Sequence, residues 1–167
     1  MRRGINGEGF AALLPVLEDD QAAVPELLRN LPTGPASPFA GLSGTHFVRL
    51  VVLPPFGGLP ALLFFAAEFD AFVGGFLETL CTAMPSQIEE IFQRCHRYPG
   101  TAAPPEFTRW MLAHRVRPGF TVIGNPGVSA DEVERCLLLR QQIIDFALET
   151  RHADAAELHR QWQRQWP

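Results

Sequence analysis

The chain has 167 residues, of which 47% are hydrophobic and 19% charged, with a formal net charge of −4. That length supports one domain with a substantial core, and that charge offers no bulk attraction for nucleic acid. All of the 14 basic residues are arginine, which excludes Schiff-base and Walker-type lysine chemistry.

Three cysteines, Cys81, Cys95 and Cys136, are odd in number and widely spaced, and match no zinc or disulfide pattern. A reduced, cytoplasmic protein is expected. Met1-Arg2-Arg3 leads into no apolar run, so no signal peptide is expected. The run around Leu59 to Ala67 is too short to span a bilayer, so no membrane partner is expected either.

Phe10 to Leu17 reads as a first strand, with Pro15 favouring an edge or a bulge. Asp19-Asp20 suits a helix start, and Ala22 to Leu31 a short helix in which Pro25 must fall in the first turn. Pro32 to Gly44 is a Pro/Gly/Ser loop. Thr45 to Asp70 is the centre of the chain. THFVRLVVL and ALLFFAAEFD, rich in β-branched and aromatic residues, are split by PPFGGLP, the pattern of a hairpin. Both faces of each run are apolar, so both are expected to be covered.

Asp70 is placed to cap the next helix, whose stripe runs through Phe72, Val73, Phe76, Leu77, Leu80 and Met84. Ser86 to Glu89 is a capping box that opens a helix bearing Ile88, Ile91, Phe92 and Cys95. Pro104-Pro105 opens another, with Phe107, Trp110, Met111 and His114 on one face. Phe120 to Ile123 is a short strand before the turn Gly124-Asn-Pro-Gly127. Ser129 to Glu132 is a second capping box, starting a helix that runs to about Glu149. Leu158, Trp162 and Trp166 recur at four-residue steps in the tail, a stripe that must dock somewhere.

The order is βαββαβ, which predicts an α+β fold: a ferredoxin-like antiparallel sheet with helical inserts before the last strand and a C-terminal helical extension. Residues 1–150 are expected to form one domain and 151–167 a helical tail. The second sheet face, carrying Phe47, Arg49, Val51 and Leu53, requires a cover, from a partner's sheet or the extra helices.

The segments THFVRLVVL, LLFFAAEFD, IFQRCHRYPG and GNPGVS also carry a resemblance. Through Thr45, His46, Phe47, Arg49, Phe69, Asp70, Cys95, Tyr98, Pro99 and Gly100 the chain resembles the ferredoxin-like dimeric α/β-barrel superfamily. Within it, the chain looks like bacterial proteins of uncharacterised role with a THFxR strand and a CxxYPG segment. The resemblance covers roughly Phe10 to Glu149. The chain departs from it at Arg94 and His96, where those proteins carry a His and an acidic residue around the cysteine. The superfamily includes oxygenases, cyclases, isomerases and haem-using peroxidases or dismutases, and also members with no known activity. The resemblance therefore implies a homodimer and a small-molecule enzyme, extending to oxidoreductase chemistry, with either no cofactor or haem.

Candidate site residues follow from the hairpin. Arg49, a guanidinium among Val and Leu, either anchors the anionic end of a ligand or forms an ion pair with Glu68. His46 could act as general base or axial haem ligand, or pack by hydrogen bonding. Glu68 could be a base in an apolar pocket, or a rim charge. His46, Arg49 and Glu68 form the candidate catalytic set. Arg49, Phe47, Phe65 and Tyr98 form the candidate ligand-binding set, for a small apolar molecule with one anionic or polar end; no metal site is expected. Cys95, in register with Ile88 and Phe92, reads as a buried structural thiol more readily than as a Cys95–His96 dyad. Arg109, His114, Arg115 and Arg117 make either a small cationic mouth or a solvated helix end. The alternative to an enzyme is a non-catalytic dimeric ligand-binding or accessory interaction protein.

Overall fold

The structure, a computed structural model, describes residues 8–117, 119 and 127–166. It divides into two compact units, residues 1–130 and 131–167.

In the first unit, β1 (Glu8–Pro15) is followed by α1 (Ala23–Asn30), β2 (Thr45–Leu53), β3 (Leu62–Phe69), α2 (Val73–Ala83), α3 (Pro85–Phe92) and α4 (Pro104–Ala113). Three strands form an antiparallel sheet in the order β1-β3-β2. The architecture is α+β. Strand alternation divides the sheet cleanly. Phe10, Ala12 and Leu14 of β1 and Leu63, Phe65, Ala67 and Phe69 of β3 are buried on one face, beside the half-buried Val48, Leu50 and Val52 of β2. The apolar stripes of three helices add to that core: Phe76, Leu77 and Leu80 from α2, Ile88, Ile91 and Phe92 from α3, Phe107 and Met111 from α4. Phe92 is the hub, with ring centroids 5.7 Å from Phe65, 5.9 Å from Phe107 and 6.1 Å from Trp110. Side chains of this size contribute about 1.5–3 kcal/mol each through burial.

The opposite face carries Ala11 and Leu13 of β1, Leu62, Phe64 and Ala66 of β3, and Phe47, Arg49, Val51 and Leu53 of β2. Here the chain departs from the expectation that both hairpin faces are covered. Phe47, Val51 and Leu53 keep 40, 38 and 40% of their surface exposed. β2 is an edge strand among the described residues.

The free edge of β1 is extended by residues 114–116. Leu13 N–H donates to the His114 carbonyl at 3.1 Å and Val116 N–H to the Ala11 carbonyl at 2.8 Å, with Arg115 bridging antiparallel to Ala12. The expected strand at Phe120 to Ile123 lies outside the described residues.

Several element starts differ from the sequence reading. β1 begins two residues early and stops at Pro15, which has no N–H for the ladder. Asp70 does not cap α2. Phe72 holds the cap position, and Val73 N–H donates instead to Glu8 Oε2 at 3.2 Å. α3 begins at Pro85 with Met84 before it, so Ser86 lies inside the first turn and makes no cap. The tip between β2 and β3 turns on Gly57 and Gly58, with φ of 59° and 82°, a conformation that side chains disfavour. The pair Gly74-Gly75 admits the Phe72 ring, since a Cβ on Gly75 would lie 2.9 Å from it.

The second unit pairs most of α5 (Ala130–Glu149) with α6 (Ala155–Gln165). Asp154 caps α6, accepting from Ala156 N–H and Glu157 N–H, both at 2.9 Å. Phe146, Trp162 and Trp166 form one aromatic cluster with centroids 4.3–5.6 Å apart.

Candidate functional site

The site grows from an irregularity. Thr45 is paired with Phe69 and Phe47 with Glu68, so β2 carries one residue more than β3 across this step, a β-bulge. The extra residue is His46. Its Nε2 lies 2.8 Å from Asp70 Oδ1, just past the end of β3. The carboxylate is acceptor-only, so Nε2 donates its N–H to it, and Nδ1 is the ring nitrogen not engaged by Asp70. The other carboxylate oxygen, Oδ2, accepts the Ala130 N–H at 2.8 Å, and Asp70 N–H donates to the Gly44 carbonyl at 2.8 Å. Asp70 is thus tied on three sides and its side chain is 13% exposed, whereas His46 keeps 32%. This is an oriented, solvent-reachable imidazole of the kind that a general base requires.

Arg49 and Phe47 lie on the open sheet face. Arg49 is exposed, and its guanidinium carbon stands 5.6 Å from the centroid of the Phe47 ring. In register, Arg49 opposes Ala66 and Phe47 opposes Glu68, so Arg49 and Glu68 are diagonal neighbours. They form no ion pair among the described residues. Of the other candidates, Phe65 is fully buried on the core face, against Phe10 and Phe92. Tyr98 packs edge-on to Phe107 and Trp110, 6.2 and 5.5 Å away. Its hydroxyl is buried and makes no hydrogen bond among the described residues, and burial, then the Glu89 charge, holds it well above the ordinary phenol range. The structure therefore brings together His46 with Asp70, and Phe47 with Arg49 and Glu68. Phe65 and Tyr98 belong to the core instead.

The remaining sequence signals separate. Burial, then Asp20, pushes the Cys95 thiol up to about 12, so it is no nucleophile at neutral pH. His96 is exposed and lines an open cleft of about 520 Å³ with Glu18, Gln21 and Phe56. His114 Nδ1 bonds to the Trp110 carbonyl at 2.9 Å, and Arg115 turns to the Phe10 ring, 5.8 Å away, so no single cationic mouth gathers them. Two pairings have no counterpart in the sequence reading: Arg94 with Asp20, and Asp70 with His46. His46 does not fit as an axial haem ligand, because Nε2, the nitrogen sterically suited to iron, is committed to Asp70. Among the described residues, no group of three or more His, Cys, Asp or Glu side chains could hold a metal ion, and no helix is long and apolar enough to cross a membrane.

No family model, curated protein or solved structure matches the chain.

Proposed function

We propose that the chain is a ferredoxin-like α+β protein that works as a homodimer and acts on a small apolar molecule with one anionic end, held over the open sheet face. The observation that carries this reading is Arg49: a guanidinium without an acidic partner among the described residues, set in a sheet face of Leu, Val and Phe. An anionic group beside it gains a charge-assisted bond, and the apolar neighbours take the rest of the molecule. His46, oriented by Asp70, is the general base, and Glu68 is the second carboxylate at the same end of the sheet. The order β1-β3-β2, with residues 114–116 pairing on the free edge of β1, agrees with the ferredoxin-like arrangement. The oxidoreductase chemistry, oxygenase or peroxidase-like, rests on the family resemblance alone, since one fold hosts many reactions.

The test is titration calorimetry with decanoate and with benzoate on wild type, Arg49→Leu and Glu68→Gln. Saturable binding that is lost in Arg49→Leu and kept in Glu68→Gln supports the reading. Equal binding by wild type and Arg49→Leu, or none by either, refutes it. The second reading, a non-catalytic accessory protein, draws on the 38–40% exposure of Phe47, Val51 and Leu53, the profile of a surface that meets another protein.

A further inference from the structure

α5 carries two distinct apolar stripes, and only one is used within the hairpin. The first, with Ile143, Phe146, Ala147 and Thr150, faces α6, where it meets Leu158 and Trp162 around a cleft of about 670 Å³. The second runs through Val133, Leu137, Ile144 and Leu148, which are 38, 57, 38 and 60% exposed in the chain as a whole. At about 100° per residue, these four and the intervening Arg140 and Gln141 fall within an arc of about 100°, turned by more than about 100° from the stripe facing α6.

This second stripe is symmetric in sequence. Val133 and Leu148 stand equally far from the point between Arg140 and Gln141, and so do Leu137 and Ile144. An isologous two-fold interface needs a self-complementary patch, and this is what an antiparallel helix pair reads as. A two-fold axis between Arg140 and Gln141 sets Val133 on the partner's Leu148, Leu137 on the partner's Ile144, and Arg140 on the partner's Gln141. The two Arg140 positions then lie within about 2 Å of one another along the axis, each beside the partner's Gln141, and their long side chains reach outward to water. Completely covered, the four apolar side chains with Arg140 and Gln141 would bury on the order of 500 Å² of each copy, near the ~1,000 Å² in total at which a specific interface begins.

We infer that the Val133–Leu148 stripe of α5 docks on the same stripe of a second copy of this chain, antiparallel about Arg140 and Gln141. The inference is independent of the chemistry at the sheet face: binding of decanoate or benzoate can fail while the helix pair stands.

Light scattering on the full chain measures the state. Twice the 18.5 kDa chain mass is expected at micromolar concentration. Leu137→Glu places a charge in the seam and raises the dissociation constant roughly a hundredfold or more. Leu138→Glu, outside the arc, leaves the dimer intact. Both sites are more than half exposed, so either variant keeps its circular dichroism. Orientation is read by oxidative crosslinking. Antiparallel pairing sets two Cys136 residues about 13 Å apart along the helix axis, beyond disulfide reach, while Arg140→Cys in a Cys136→Ser background lies within about 2 Å of its symmetry mate along that axis. Crosslinking of Arg140→Cys but not of native Cys136 is the expected result. A monomeric wild type overturns the inference. So does loss of the dimer in Leu138→Glu with retention in Leu137→Glu, or crosslinking through native Cys136, which signals parallel helices.

Discussion

Replacing Asp70 by alanine removes the tie between the β2 bulge and Ala130. Two bonds are lost, from His46 Nε2 and from Ala130 N–H, each 2.8 Å long. A hydrogen bond to a charged acceptor contributes about 1.5–3 kcal/mol when shielded. His46 is 32% exposed, so solvent reduces its share to about 1 kcal/mol, whereas the part-buried Ala130 bond retains about 1.5–2 kcal/mol. The sum is a loss of about 2.5–3 kcal/mol, or a fall in Tm of roughly 5–12 °C for a chain of this size. Urea unfolding followed by circular dichroism measures it, and His46→Ala with the double variant isolates the pair, with a coupling of about 1 kcal/mol expected. A loss under about 0.5 kcal/mol, or a coupling indistinguishable from zero, would refute the view that Asp70 organises the site.

Other outcomes follow from the same structure. Phe92→Ala, at a fully buried ring that touches three others, should cost about 3–5 kcal/mol in the same unfolding assay. Arg49→Leu should change unfolding stability by less than about 0.5 kcal/mol, because the guanidinium is exposed and has no ion pair among the described residues; a large fall would return Arg49 to a structural role. A thiol reagent at pH 8 should label Cys136 alone in the folded chain and all three cysteines in denaturant, since Cys81 and Cys95 are buried. Burial raises Cys81 to about 11 and Cys95 to about 12 from an ordinary 9.0, so the folded state favours the protonated thiols. Their contribution is fully present below pH 9 and is lost above it, by about 1.4 kcal/mol per thiol for each pH unit until the folded pKa is reached. Cys95→Ala should flatten that alkaline slope, and an unchanged slope would show that other groups set it.

The strands and the core were legible because their signals are local. Alternation in FAALLP and LLFFAAEF sorts side chains between two faces, and the stripe from Phe76 to Leu80 repeats at helical steps. The burial of Arg49 was misjudged because an apolar run has the same appearance in a central strand and at a sheet edge, and strand order depends on distant pairing. The His46–Asp70 pair was hidden for a related reason. Regular alternation sets His46 on the face of Val48, but the bulge removes it from the count, and no residue type announces a bulge there. Asp70 was read as a local helix cap, whereas its partners lie 24 and 60 residues away. Phe65 and Tyr98 looked like pocket linings because aromatic composition does not separate a lining from a core.

β2 also has a consequence for the chain before it finds any partner. It is a nine-residue edge strand, THFVRLVVL, whose outer side pairs with no other strand among the described residues and which carries a single formal charge at its midpoint. Such edges invite strand-on-strand addition between molecules, and a central cation is one of the devices that blocks it. In a stacked array, Arg49 would meet its own like charge at every ~4.8 Å repeat. The residue proposed to hold the anion would thus also keep the newly made chain in solution. Its loss would be felt first in yield and turbidity, not in melting temperature.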